Sequence, residues 1–181
     1  VRHLTAEQWA YRIICRGRRG FMAALPVLGR AGTDRAALRL AVADPARPDL
    51  LAAARHVALL QQTVHGAHLE GIPAGRFTLR NRAFDFGSLD RVSWRGEFDE
   101  GNNPLRRMTL AYMGYAVPML ARGRAGDREV IVRLLRSLED QNPFSARGAF
   151  RDVWNPYTAS HRLINLLAGL ALYRDGGGVP D

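Results

Sequence analysis

Apolar side chains recur along most of the chain at the three-to-four spacing of helix faces, and alternate in one short stretch only. The first periodic run is LTAEQWAYRIICRGRR. Thr5 and Gln8 stand at capping-box spacing, and Leu4 and Trp9 stand where a hydrophobic staple would close. This predicts a helix to about Arg19 that buries Trp9, Ile13 and Phe21 and turns Arg12, Arg16, Arg18 and Arg19 to solvent. A short helix is expected over 34–43, ended by Pro45 and Pro48. A longer one, DLLAAARHVALLQQTVH, is capped by Asp49 and has its apolar period on Leu50, Ala53, Ala54, Val57, Leu60 and Gln61.

The rhythm then changes. In GRFTLRNRAFDFGS, Phe77 alternates with Leu79 and Phe84 with Phe86, the period of two expected of short strands. A loop follows, DRVSWRGEFDEGNN. Helical spacing resumes with Asn103 as cap and Pro104 in the first turn. Its stripe of Leu105, Met108, Tyr112, Tyr115 and Met119 ends near Gly123, with a kink at Pro118. Asp127 is placed to cap DREVIVRLLRSLEDQ, which Asn142-Pro143 stops. The last helix enters through Tyr157 to Ser160 and runs to Arg174 before three glycines. The fold class is therefore mainly α: helical hairpins stacked in layers, with a short β and loop segment around 76–100.

Length and composition narrow this little further. The 181 residues suit one domain or one large piece of a larger one, and a 47% hydrophobic content excludes a disordered tail. The net charge is +9, carried by 26 basic residues that are all arginine. Arginine without lysine, beside abundant alanine, matches a GC-rich genome. The charge fits either a solvated surface or an acidic partner: anionic polysaccharide, nucleic acid or a membrane surface. Cys15 stands alone, so no intrachain disulfide forms. No window reaches the roughly 18 apolar residues of a membrane span, and VRHLTAEQWAYRI has no apolar core of a signal peptide. The Val1 start and the YRDGGGVPD end lead us to expect a fragment cut between elements.

Chemistry is sparse. No phosphate loop, dinucleotide fingerprint, nucleophile elbow or paired-cysteine motif occurs. His65, His68 and Glu70, with His56 upstream, are close in sequence, but their glycine-flanked setting reads as a helix end and no metal site is assigned. Asp85, Asp90, Glu97, Asp99 and Glu100 lack calcium-loop spacing, and no pair of carboxylates is nominated for glycoside hydrolysis. No cofactor and no catalytic residue are assigned.

What remains is WNPYTASHRLIN, residues 154–165. Trp154 and Tyr157 offer flat faces that stack on sugars or bases, and Arg162 can fork onto an anion. Thr158, His161, Arg162 and Asn165 fall on one side of the helix. Leu163, Ile164, Leu167, Leu170 and Ala171 cover the other. Such a helix fits the inner wall of a ring, buried by its apolar side, with its polar mouth opening into a cleft. The alternative is purely architectural: Trp154 and Tyr157 as core anchors, Arg162 as a buried strut and Asn165 bound to backbone.

This segment resembles the W-x-P-Y-x-x-S-x-R-x-x-N stretch of heparinase II/III-type polysaccharide lyases. Three more stretches fall in matching order: LTAEQWAYRIICRGRR, RFTLRNRAFDFGSLDRVSW and LRRMTLAYMGYAVPML. In the last, Arg106, Thr109 and Ala111 replace residues usual in that family, while Tyr112 is kept. The resemblance implies part of an (α/α) toroid whose parent protein cleaves uronic-acid polysaccharide, such as alginate or a glycosaminoglycan, by β-elimination. It implies substrate-binding roles for Tyr112, Trp154, Tyr157, Arg162 and Asn165, and a periplasmic or secreted location. It places the proton-transferring residues beyond Asp181, so residues 1–181 are expected to form one N-terminal portion, inactive alone. The catalytic half and any β-sandwich domain would lie outside it. A noncatalytic helical module binding an anionic polymer through Arg12 to Arg19 is the alternative.

Overall fold

The structure, a computed structural model, describes residues 5–25, 27–28, 31, 48–96, 105–143 and 146–176. It is mainly α. The expected helix over 34–43, the Leu4 staple, the Asn103-Pro104 cap and the acids Glu97, Asp99 and Glu100 lie outside the described residues.

Helix α1 (Ala6–Ala24) starts as the sequence predicts. The Gln8 main-chain N–H donates to Thr5 Oγ1 (3.3 Å) and the Thr5 N–H donates to Gln8 Oε1 (3.1 Å). It runs one turn past Arg19, and its apolar side is not buried: Ile13 is 67% exposed and Phe21 51%. The amphipathic period is present, but no described element packs closely along it. Burial was the wrong expectation.

Helix α2 (Pro48–His65) begins at Pro48, so Asp49 sits inside the first turn rather than at the cap, where its charge still opposes the helix dipole. Ala54 and Ala58 face inward, while Leu50 and Leu60 face out. A 3-10 segment (Gly66–Ala74) follows and ends on Gly75 in the left-handed conformation. Strands β1 (Arg76–Leu79) and β2 (Arg82–Asp85) then pair antiparallel as expected, with Phe77 opposite Phe84 and Leu79 opposite Arg82. Arg80 and Asn81 close the hairpin, both at positive φ, as a two-residue turn matched to strand twist requires. Beyond a short 3-10 turn (Leu89–Arg91), Trp94 is buried and its Nε1 donates to Ser137 Oγ (3.1 Å).

The next helix is two helices. Helix α3 (Leu105–Tyr112) stops at Met113, whose φ is 55°, and α4 (Ala116–Arg122) resumes three residues on. The break comes at Met113, not at Pro118. Pro118 falls in the first turn of α4, where a missing N–H forfeits no intrahelical bond. Helix α5 (Asp127–Gln141) is capped by Gly126, and Asp127 is its first residue, gripped by Arg122 through Nε (2.7 Å) and Nη2 (2.9 Å). It ends before Asn142-Pro143 as expected. A short α6 (Ala149–Asp152) leads into α7 (Pro156–Arg174).

One core lies between the hairpin, the α3–α4 break and α5, around Trp94, Leu110, Tyr115, Met119 and Leu134. A second joins α2, α4 and α7 through Ala54, Ala58, Val117, Ala121, Ala168 and Ala171. Small side chains there let three helices approach closely. No described helix is long and apolar enough to cross a membrane.

Helix α7 is turned opposite to expectation. Thr158, Arg162 and Asn165 are buried, whereas Leu163, Ile164, Leu167 and Leu170 are between 41% and 57% exposed. Ala171 alone of the predicted apolar side is covered. The partners across the interface explain this: α7 faces the α3–α4 break, which needs hydrogen-bond donors more than it needs leucines.

Candidate functional site

A helix that stops at Tyr112 leaves its last carbonyls without intrahelical partners. Side chains take two of them, and a third adds to the Met113 N–H that already reaches the Leu110 carbonyl (3.3 Å). Tyr115 Oη donates to the Leu110 carbonyl (3.4 Å), Arg162 Nη1 to Ala111 (3.2 Å) and Asn165 Nδ2 to Tyr112 (2.9 Å). The same guanidinium reaches the Val153 carbonyl at the end of α6, from Nη1 and Nη2 at 3.3 Å each. One cation therefore caps two helix ends, where the macrodipole is negative. The guanidinium stacks over the Trp154 ring, 4.8 Å from its centroid, and Trp154 Nε1 donates to the Asn142 carbonyl (2.6 Å). Burial lowers the Arg162 pKa, while the nearby Tyr115 raises it.

The entrance to α7 is set with equal economy. Asn155 accepts from the Thr158 N–H (2.9 Å) and donates to Thr158 Oγ1 (2.8 Å), and Pro156 occupies the first helical position. Behind it, Arg107 of α3 pairs with Asp152 of α6 (3.2 Å), both buried. Gln61 of α2 completes the frame. Its Nε2 donates to Asn165 Oδ1 (3.4 Å), and its Oε1 fills the space a side chain at Gly114 would need. His65 presses on the same glycine and meets Tyr115 edge-on. Burial, with a contribution from His68, lowers its pKa to about 4.

This frame holds up one open face. The Tyr112 ring, at the end of α3, lies 5.0 Å from that of His161, centroid to centroid, at a tilt of 32°. Tyr157 meets the same imidazole edge-on at 4.4 Å and Tyr112 at 5.9 Å. Tyr157 is 61% exposed; Tyr112 and His161 are half-buried. Burial first, then Tyr157, raises the Tyr112 pKa, so its phenol keeps its proton at neutral pH.

The five residues picked from sequence thus fall into two groups. Tyr112 and Tyr157 meet at the surface. Trp154, Arg162 and Asn165 lie behind them, their donors engaged by main-chain carbonyls. His161 was placed on the polar side of its helix and Gln61 in the period of α2, neither with a site role, and Gly114 was not singled out. His161 had a readable signal, since it stands one helical turn after Tyr157 and so shares its face. Gln61 and Gly114 had none, because their roles depend on the distant helix break.

The histidine and acid clusters do not converge. Glu70 pairs with Arg122 (2.7 Å) and with Arg124, and Asp90 pairs with Arg133 (2.9 Å). Among the described residues no three His, Cys, Asp or Glu side chains gather in a group able to hold a metal. No family model, curated protein or solved structure matches the chain.

Proposed function

We propose that this chain is part of an (α/α) toroid from a polysaccharide lyase of the heparinase II/III type, and that it shapes the cleft for a uronic-acid polysaccharide. The observation that carries the reading is the division of labour within WNPYTASHRLIN. Its Arg and Asn cap the end of α3, its Trp lies under that Arg, and its Tyr157 meets Tyr112 on the open face. Tyr157, 61% exposed and edge-on to Tyr112, offers an amphipathic ring of the kind a pyranose stacks on. In β-elimination a base removes the proton alpha to the uronate carboxylate. The glycosidic C–O bond then breaks, a carbon–carbon double bond forms, and the leaving oxygen takes up a proton. This chain's residues are assigned binding and orientation, and none of those proton transfers.

Binding of short oligomannuronate and heparosan fragments, followed by calorimetry, tests the reading. Tyr157→Ala should weaken binding about tenfold or more, a stacking loss of the usual size. Absence of binding to either polymer overturns it.

A second reading rests on α1. Arg12, Arg16 and Arg18 are exposed on a helix that no described element covers, which suits a module binding an anionic polymer. Binding to duplex DNA that falls steeply with salt, and that survives Tyr157→Ala but not neutralisation of these arginines, would select it.

A further inference from the structure

His161 is neither part of the W-x-P-Y-x-x-S-x-R-x-x-N pattern nor a strut of the frame, yet it occupies the centre of the open face. Its ring is tilted 32° from Tyr112 and lies edge-on to Tyr157, so contacts with two helices hold it. Its nitrogens, and the hydroxyls of both tyrosines, make no hydrogen bond among the described residues. Of the motif's other polar groups, Thr158, Arg162 and Asn165 are engaged within the frame, whereas the Tyr157 and Ser160 side chains are exposed. Arg162, the adjacent residue, is 6% exposed, with its donors on the Ala111 and Val153 carbonyls. Asn165 donates to Tyr112 and accepts from Gln61.

We propose that His161 is the specificity-determining residue of this face, donating to the carboxylate of an acidic sugar whose ring rests on Tyr157. The inference rests on the polysaccharide reading above and names what makes the site choose acids. A uronate carboxylate is attached at the edge of the pyranose ring and projects near its plane. A sugar stacked on one aromatic face therefore carries its carboxylate sideways, toward a donor beside that face rather than beneath it. The His161 ring centroid lies 4.4 Å from that of Tyr157, next to any sugar seated there. An imidazole N–H to a carboxylate is a charge-assisted bond, and it has no counterpart when the acid is esterified.

The test compares free-acid and methyl-ester forms of short oligomannuronate and heparosan fragments by calorimetry at neutral pH, on wild type, His161→Ala and Tyr157→Ala. Wild type should prefer the acid over the ester by about tenfold. His161→Ala should bring that preference to within about twofold, and Tyr157→Ala should weaken acid and ester alike. If His161→Ala keeps the full preference for the acid, the assignment of His161 fails and the polysaccharide reading stands. If wild type binds neither form of either polymer, the reading fails and the assignment with it. Far-ultraviolet circular dichroism of each variant checks folding; His161 and Tyr157 both lie at the surface, and neither holds backbone.

Discussion

Arg162 donates to the carbonyl of Ala111, a residue 51 positions earlier, and to that of Val153, so one buried guanidinium closes the ends of two helices. Removing it strands both carbonyls away from water. Arg162→Ala should cost about 2–4 kcal/mol, the range for buried polar groups left unpaired. Arg162→Lys should recover less than half of that, because a single ammonium cannot serve two carbonyls in a fork and stack flat on Trp154 as well. Urea unfolding of the two variants measures both. A loss below about 0.5 kcal/mol for the alanine variant would mean the break does not depend on its caps.

His65 gives the fold an acid sensitivity of known sign. Its pKa falls from 6.5 to about 4 on folding, so between those values the unfolded chain binds more protons than the folded one. Stability therefore rises with pH across that window. It is fully present above pH 6.5, is lost as the pH falls toward 4, and this histidine contributes no further change below that. The full swing is on the order of 3 kcal/mol. Replacing His65 by glutamine should flatten the slope of stability against pH in this interval, read from urea midpoints in a buffer series. An unchanged slope would place the responsible proton on another group.

Two glycines at positive φ form a matched pair. Gly75 (φ 78°) ends the 3-10 segment, and a methyl group there would lie 2.7 Å from the Ser88 backbone. Gly123 (φ 63°) ends α4 with no atom within 4 Å of that position. Both alanine variants bear the left-handed strain of about 1 kcal/mol. Only Gly75→Ala also drives backbone against backbone, so it should lose at least about 2 kcal/mol more. Thermal melts separate the two contributions, and equal losses would show that the 75–88 contact relaxes freely.

How far sequence reached follows from how local each signal is. The Thr5–Gln8 capping box, the alternating strands either side of Arg80-Asn81 and the Asn142-Pro143 stop are read within a few residues, and each was legible. The break at Met113 was missed because Pro118 is the obvious local breaker. Met113 turns left-handed where Arg162 and Asn165, from a helix far along the chain, donate to the Ala111 and Tyr112 carbonyls. The open face was half legible for the same reason. Tyr157 and His161 share a helix turn, whereas Tyr112 reaches them only through the fold.

The orientation of α7 is where pattern and structure part, and it yields the most direct test of the packing. Periodicity made Leu163, Ile164, Leu167 and Leu170 the buried side, yet they face out, and Gly169 is the residue pressed inward. A methyl group at Gly169 would meet Leu120 Cδ1 at 2.8 Å and the Ala116 carbonyl at 3.3 Å. Glycine to alanine inside a helix ordinarily gains up to about 1 kcal/mol. Here Gly169→Ala should instead lose about 1–2 kcal/mol, because the buried Leu120 side chain must turn and the Ala116 carbonyl must give way. Leu167→Gln, on the outward side and 51% exposed, should change stability by less than about 0.5 kcal/mol. Urea midpoints of the two variants decide between the faces. If Leu167→Gln costs several kcal/mol while Gly169→Ala stabilises, α7 packs by its leucines and the frame around Arg162 must be redrawn.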